Sequence, residues 1–221
     1  MEQIFDFIFH IDKHLIDITA TYQQSTYLII ALIIFCETGL VITPFLPGDS
    51  LIFSAAAIAA MPGSALNIFI LFIIIFAAAV VGDNTNYGLG RLTGNDIYQK
   101  NYKILNREKL LKAKTFYEKH GGLTLILGRY MPVIRTFSPF VAGVAHMGYK
   151  RFLAFCLSAN LIWVGLYTIT GYFFGNMPFV KRNFEYFIIG ILLSTFIPPI
   201  WIFVKSRIKR FKQKQLSDVT R

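Results

Sequence analysis

Polar and apolar positions fall along this 221-residue chain in long blocks, with neither the strict alternation of a half-buried strand nor the narrow stripe of a soluble helix. Residues 18–82 contain only two charged side chains, Glu37 and Asp49, and residues 152–180 contain none. A spanning helix needs about 20 mostly apolar residues, so 65–90, 151–175 and 185–204 are predicted to cross a membrane. Two further apolar stretches are interrupted. The first, 26–61, is broken at Thr43-Pro44-Phe45-Leu46-Pro47-Gly48, where two prolines remove backbone donors and Gly48 permits a tight turn. The second, within 107–149, is broken around Pro132 and Pro139 and closes near Gly143. Each piece is short for a crossing, so both stretches read as re-entrant hairpins. Broken backbone at membrane depth is tolerated only where protein or a wet cavity satisfies it. Residues 1–24 place Ile4, Phe5, Ile8, Phe9, Ile11 and Leu15 on one face of an interfacial amphipathic segment.

The fold class expected is therefore an all-α polytopic membrane protein, one integral membrane domain over 1–221. Two opposed re-entrant helical hairpins and the spanning helices would form an inverted repeat, a plan known in transporters with sites near the midplane. No small-residue cleavage site follows the first apolar stretch, which argues against a removable signal peptide.

Composition agrees and charge adds orientation. The chain is 55% hydrophobic and only 15% charged, yet carries a formal +10. One basic residue faces seven acidic ones up to Gly90, whereas 21 face five from Arg91 onward. This asymmetry argues against a uniform nucleic-acid surface and for topology. By the positive-inside rule, the basic loop after residue 90 and the tail 205–221 are cytoplasmic. Arg107 to Lys119 reads as an amphipathic helix on anionic lipid.

Charge inside the hydrocarbon region costs roughly 2.5 to 3.5 kcal/mol per residue even on lenient scales, so Glu37, Asp49, Arg129 and Arg135 need partners or water. Two structural salt bridges between the hairpins would suffice. Their placement at the two broken apices fits a different use, a cavity for a phosphate head group, since arginine offers a permanent bidentate fork to phosphate oxygens. Glu37 or Asp49 taking up a proton from the outer side would then link movement of that ligand to a proton gradient. Asp83 and Tyr130 are secondary candidates.

Other features carry less. The glycines from Gly82 to Gly90 follow a membrane helix and not a strand, so a dinucleotide loop is not expected. Cys36, Cys156, His120 and His146 lack metal-ligand spacing, so no metal and no cofactor is expected. Trp163 and Trp201 read as lipid-contact and interface aromatics. The chain lacks an Arg-Pro dipeptide, which argues against a lipid phosphatase, and the expectation is a non-enzyme.

Three motifs resemble the DedA family of VTT-domain membrane proteins: Glu37-Thr38-Gly39-Leu40, Phe45-Leu46-Pro47-Gly48-Asp49-Ser50, and Gly128-Arg129-Tyr130-Met131-Pro132-Val133-Ile134-Arg135 followed by Phe140-Val141-Ala142-Gly143. The resemblance covers nearly the whole chain. It implies a bacterial inner-membrane protein with opposed re-entrant hairpins that moves a lipid phosphate, undecaprenyl phosphate in the sharpest form, between leaflets with dependence on the proton motive force. It also maps the functional acids to Glu37 and Asp49 and the arginines to Arg129 and Arg135. Partners expected are membrane lipids, a polyprenyl phosphate and protons, with homo-oligomerisation left open. A general phospholipid scramblase and a proton or cation antiporter are the alternatives.

Overall fold

The structure is a computed structural model that describes residues 23–40, 48–100, 122–129, 132–174, 177–178 and 190. Every regular element among them is helical. After a 3-10 turn at Gln23–Ser25 come α1 (Thr26–Gly39), α2 (Gly48–Ala59), α3 (Ile68–Lys100), α4 (Leu123–Gly128), α5 (Pro132–Val144) and α6 (Tyr149–Phe174). The interfacial segment 1–24, the apex with Pro47, the amphipathic helix 107–119, Tyr130, the last crossing 185–204 and the tail fall wholly or almost wholly outside the described residues.

Among the described residues two helices are long and apolar enough to cross a membrane, Ile68–Gly94 within α3 and all of α6. At 1.5 Å per residue, α1 and α2 reach only about 21 and 18 Å, short of a hydrocarbon core about 30 Å thick. The surface is apolar, and charged and polar groups lie inside: Leu28, Phe69, Ile73, Leu161 and Phe173 face outward, while Glu37, Asp83, Asn86 and Asn160 are buried. A chain in water would not pay for that arrangement; a chain in lipid requires it.

Local chemistry sets the helix ends. Asn67 caps α3, its side-chain oxygen accepting from the N–H groups of Phe69 (2.9 Å) and Ile70 (3.3 Å). Pro132 opens α5, where a missing N–H costs nothing. The C-terminus of α5 closes with Met147 N–H on the Ala142 carbonyl and His146 N–H on the Gly143 carbonyl, and His146 takes the left-handed conformation (φ 55°) that this closure needs.

Three expectations are corrected. The crossing helix expected over 65–90 runs on to Lys100, so the start of the basic stretch after residue 90, expected as loop, is helix. Pro139 does not break its segment; it lies inside α5, where the missing N–H releases only the carbonyl four residues back, that of Arg135. Gly143 is not an apex residue. It sits near the end of α5 against α3, where any side chain would strike the Tyr87 carbonyl and Arg91 N.

The helices pack in a crossed pattern. α1 lies on α3, but α2 leaves α1 and packs on α6, while α5 packs on α3 and α4 on α6. Three of these four contacts carry a glycine on the long helix. Gly171 of α6 abuts the Phe53 carbonyl of α2, and Gly90 of α3 abuts the Phe140 carbonyl of α5. Gly39 and Gly82 bring α1 and α3 together in the same way, since a methyl on Gly39 would lie 3.1 Å from the Gly82 Cα. Close backbone approach through small residues drives helix association in lipid, where apolar surface alone gives no preference for protein over solvent.

Candidate functional site: two arginines between three carboxylates

Residues 71, 75, 79, 83 and 87 share one face of α3 at helical spacing. Leu71, Ile75 and Ala79 belong to one apolar cluster, with Ile30, Ile34, Leu51, Ile52 and Trp163. Tyr87 belongs to a second, with Leu125, Ala142, Phe152 and Cys156. Asp83 interrupts the stripe between them. On α6 the order is reversed: Phe152 and Cys156 in the second cluster, then Asn160, then Trp163 and Val164 in the first. A polar layer therefore lies between two apolar ones.

Into this layer come the ends of the short helices. Glu37 stands in the last turn of α1 and is fully buried; Asp49 stands in the first turn of α2. The Glu37 carboxylate lies so close to Gly48, at the start of α2, that a Cβ there would overlap it. Anionic charge at a helix N-terminus is favourable. Arg129 follows α4 and is 6% exposed. Arg135 lies in the first turns of α5.

The four residues expected from the sequence are all in the layer, but they do not form one group. Arg135 donates from Nη1 to Asp49 Oδ1 at 2.7 Å and from Nη2 to Glu37 Oε1. Arg129 bonds to neither of these acids. It donates from Nη1 to Asp83 Oδ2 at 2.6 Å and from Nη2 to Asn160 Oδ1 at 2.5 Å. Asn160 returns a bond to the same Asp83 oxygen at 2.8 Å, and the Cys156 thiol donates to it at 3.3 Å. Asp83, a secondary candidate by sequence, is thus the counter-ion of Arg129. Cys156 is more than packing.

Trp163 joins the two groups, correcting its assignment as a lipid-contact residue. It is 2% exposed. Its Nε1–H donates to Asp49 Oδ1 at 2.9 Å, and the guanidinium carbons of Arg129 and Arg135 lie 4.8 and 5.6 Å from its ring centre, within cation–π range. Beside the layer, Asn86 of α3 donates to the carbonyls of Thr38 (3.2 Å) and Thr136 (2.6 Å), pinning α1 and α5. Sequence reasoning missed Asn86, Asn160 and Trp163. The signal for Asn160 was present, an amide at i+4 from Cys156 in the middle of a charge-free apolar run.

Two buried atoms of the layer, Glu37 Oε2 and Arg129 Nε, have no hydrogen-bond partner. Among the described residues no group of three or more His, Cys, Asp or Glu could hold a metal ion.

This arrangement sits in a recognised frame. The VTT domain family matches residues 46–173, and Protein DedA of Escherichia coli K12 is 48% identical over 198 residues, 89% of this chain and 90% of that protein. The chain belongs to the DedA family. A protein of Mycobacterium leprae named an uncharacterized membrane protein is 38% identical over 76% of this chain and 75% of its own. Inner membrane protein YghB of E. coli K12 is 32% identical over 80% and 78%. No solved structure matches the chain. Membership makes this DedA protein a membrane protein, in agreement with its outward-facing apolar surface.

Proposed function

We propose that the protein moves a lipid phosphate, with undecaprenyl phosphate carrier lipid the leading substrate, between the leaflets of a bacterial inner membrane. Arg129 and Arg135 take the phosphate and Glu37 and Asp49 respond to protons. The observation that carries this reading is the pair of buried guanidiniums, whose terminal nitrogens are held by carboxylates and an amide that a phosphate can replace oxygen for oxygen. Arg129 Nε is a further donor without a partner. Two guanidiniums face three buried carboxylates, Glu37, Asp49 and Asp83, leaving one formal negative charge in a low-dielectric layer. A proton on Glu37, whose Oε2 has no partner, would balance it.

The finer architecture belongs to the same proposal. α1–α2 and α4–α5 are two re-entrant hairpins entered from opposite faces, and the crossed packing with its paired Phe-carbonyl and glycine contacts supports an inverted repeat. The basic middle loop and the tail lie on the cytoplasmic side. No covalent step is required, so the protein is not an enzyme.

Purified protein in vesicles, with leaflet accessibility of polyprenyl phosphate followed beside Arg129→Ala and Glu37→Gln, tests the reading. Arg129→Ala should lose movement, and Glu37→Gln should lose its acceleration by outside acid. Folded variants that move lipid as the wild type does, in rate and in pH response, would overturn the site assignment. Equal movement of phosphate-free and phosphate lipids would point to a general phospholipid scramblase, and cation flux without lipid movement to an antiporter, a use the excess carboxylate also suits.

A further inference from the structure

All four terminal nitrogens of the two arginines are engaged by groups of this chain. A phosphate that takes both terminal nitrogens of one guanidinium as a fork displaces that arginine's present partners, and a guanidinium between partners in an apolar layer would be driven out toward water. Something must hold the cation while its carboxylate is absent. The only side chain described as touching both arginine groups is Trp163, which offers a face to each guanidinium and its indole N–H to Asp49.

We propose that Trp163 is the positioning residue that couples the two arginine groups: its π face retains each guanidinium as it passes from carboxylate to phosphate, and its N–H keeps Asp49 in place for the return. The geometry carries this. Asp49 Oδ1 accepts from both Arg135 and Trp163, so when Arg135 departs one bond to that oxygen persists. Asn160, which accepts from Arg129, is three residues before Trp163 on the same helix, so displacement at either arginine is felt at one turn of α6. Tyr167, one turn further on, packs edge-on to the indole at 6.4 Å and limits its tilt. An indole facing lipid would make none of these contacts.

The proposal rests on the lipid-phosphate reading, and the test separates the two. The sequence holds two tryptophans, so Trp201→Phe leaves Trp163 as the sole indole reporter. Purified Trp201→Phe protein is titrated with farnesyl phosphate and, as control, farnesol, while binding is measured independently with radiolabelled ligand. Trp163 emission should change saturably with the phosphate and not with the alcohol, following the binding curve. Trp163→Phe, which keeps a π face but loses the N–H, should bind about tenfold more weakly, the size of one lost hydrogen bond to a charged group. Trp163→Leu, which loses both, should bind more weakly still. Binding that saturates with no change in Trp163 emission, or a folded Trp163→Leu that binds as the wild type does, would overturn the role of Trp163 alone. No binding of farnesyl phosphate by the parent protein would overturn the lipid-phosphate reading, and this role with it.

Discussion

Arg135 on α5 donates from Nη1 to Asp49 on α2 at 2.7 Å, across 86 positions of sequence. The same guanidinium holds Glu37 on α1, so one cation fastens α1 and α2 together. Removing it leaves two buried carboxylates facing each other. Arg135→Ala should lower stability by about 3 to 5 kcal/mol, the usual cost of stranding one partner of a buried pair. Adding Glu37→Gln should recover part of that loss. Thermal unfolding of the purified variants in detergent checks both, and an Arg135→Ala protein that melts with the wild type would show the pair to be solvated.

Arg129→Lys keeps the charge but not the fork. Lysine presents one compact ammonium and cannot span Asp83 and Asn160 as Nη1 and Nη2 do. Lipid-phosphate movement should fall at least about tenfold, the equivalent of about 1.4 kcal/mol for one lost charge-assisted bond. Unfolding temperature should change far less than in Asp83→Ala, which strands the arginine. Transport in vesicles and thermal melts, measured on the same preparations, give both values.

Neighbouring glycines of one helix should respond oppositely. A side chain at Gly90 would run into the Phe140 backbone, whereas Gly88 has nothing within 4 Å. Gly90→Val should cost about 1 to 3 kcal/mol or more through overpacking. Gly88→Ala should be neutral or stabilising by up to about 1 kcal/mol through helix propensity.

Asn86→Leu removes two interhelical bonds at once. Such bonds average about 0.6 kcal/mol each in a membrane, so the expected loss is only about 1 kcal/mol, well below that for Arg135→Ala. A larger loss would mean that Asn86 organises the layer and does more than tie two helices.

Glu37→Gln is a permanent imitation of the protonated acid. If the proton on Glu37 is what releases Arg135, acidifying the outer side should speed lipid movement in the wild type and have no effect in Glu37→Gln. Vesicles with an imposed pH difference, sampled on both sides, measure this.

The sequence made the membrane class plain because lipid leaves a composition that water does not: 65 successive positions of the first half hold two charges, and each of those charges marks the site. Glu37, Asp49, Arg129 and Arg135 were legible for that reason. Their pairing was not, since spacing in sequence says nothing of which acid meets which arginine across packed helices. Asp83 stayed a secondary candidate because the glycines and polar residues that follow it end the apolar run; α3 continues beyond it, and its apolar stripe at i+4 spacing puts Asp83 in the core. Asn160 and Trp163 escaped because, uncharged, they do not show in a count of charges along the apolar runs. Only the three-dimensional packing of α6 gives them partners.

The crossed packing has a mechanical corollary. With α5 on α3 and α2 on α6, the molecule divides along a seam, and bonds of the polar layer straddle it: Arg135 to Asp49, and Asp83 to Asn160. Like the pins of a lock, they must all lift before one block can slide past the other. A ligand that engaged a single arginine would free only some of the pins, so any sliding movement that exposes this layer to the opposite side is reserved for a ligand, or a ligand with a proton, that disengages both groups together.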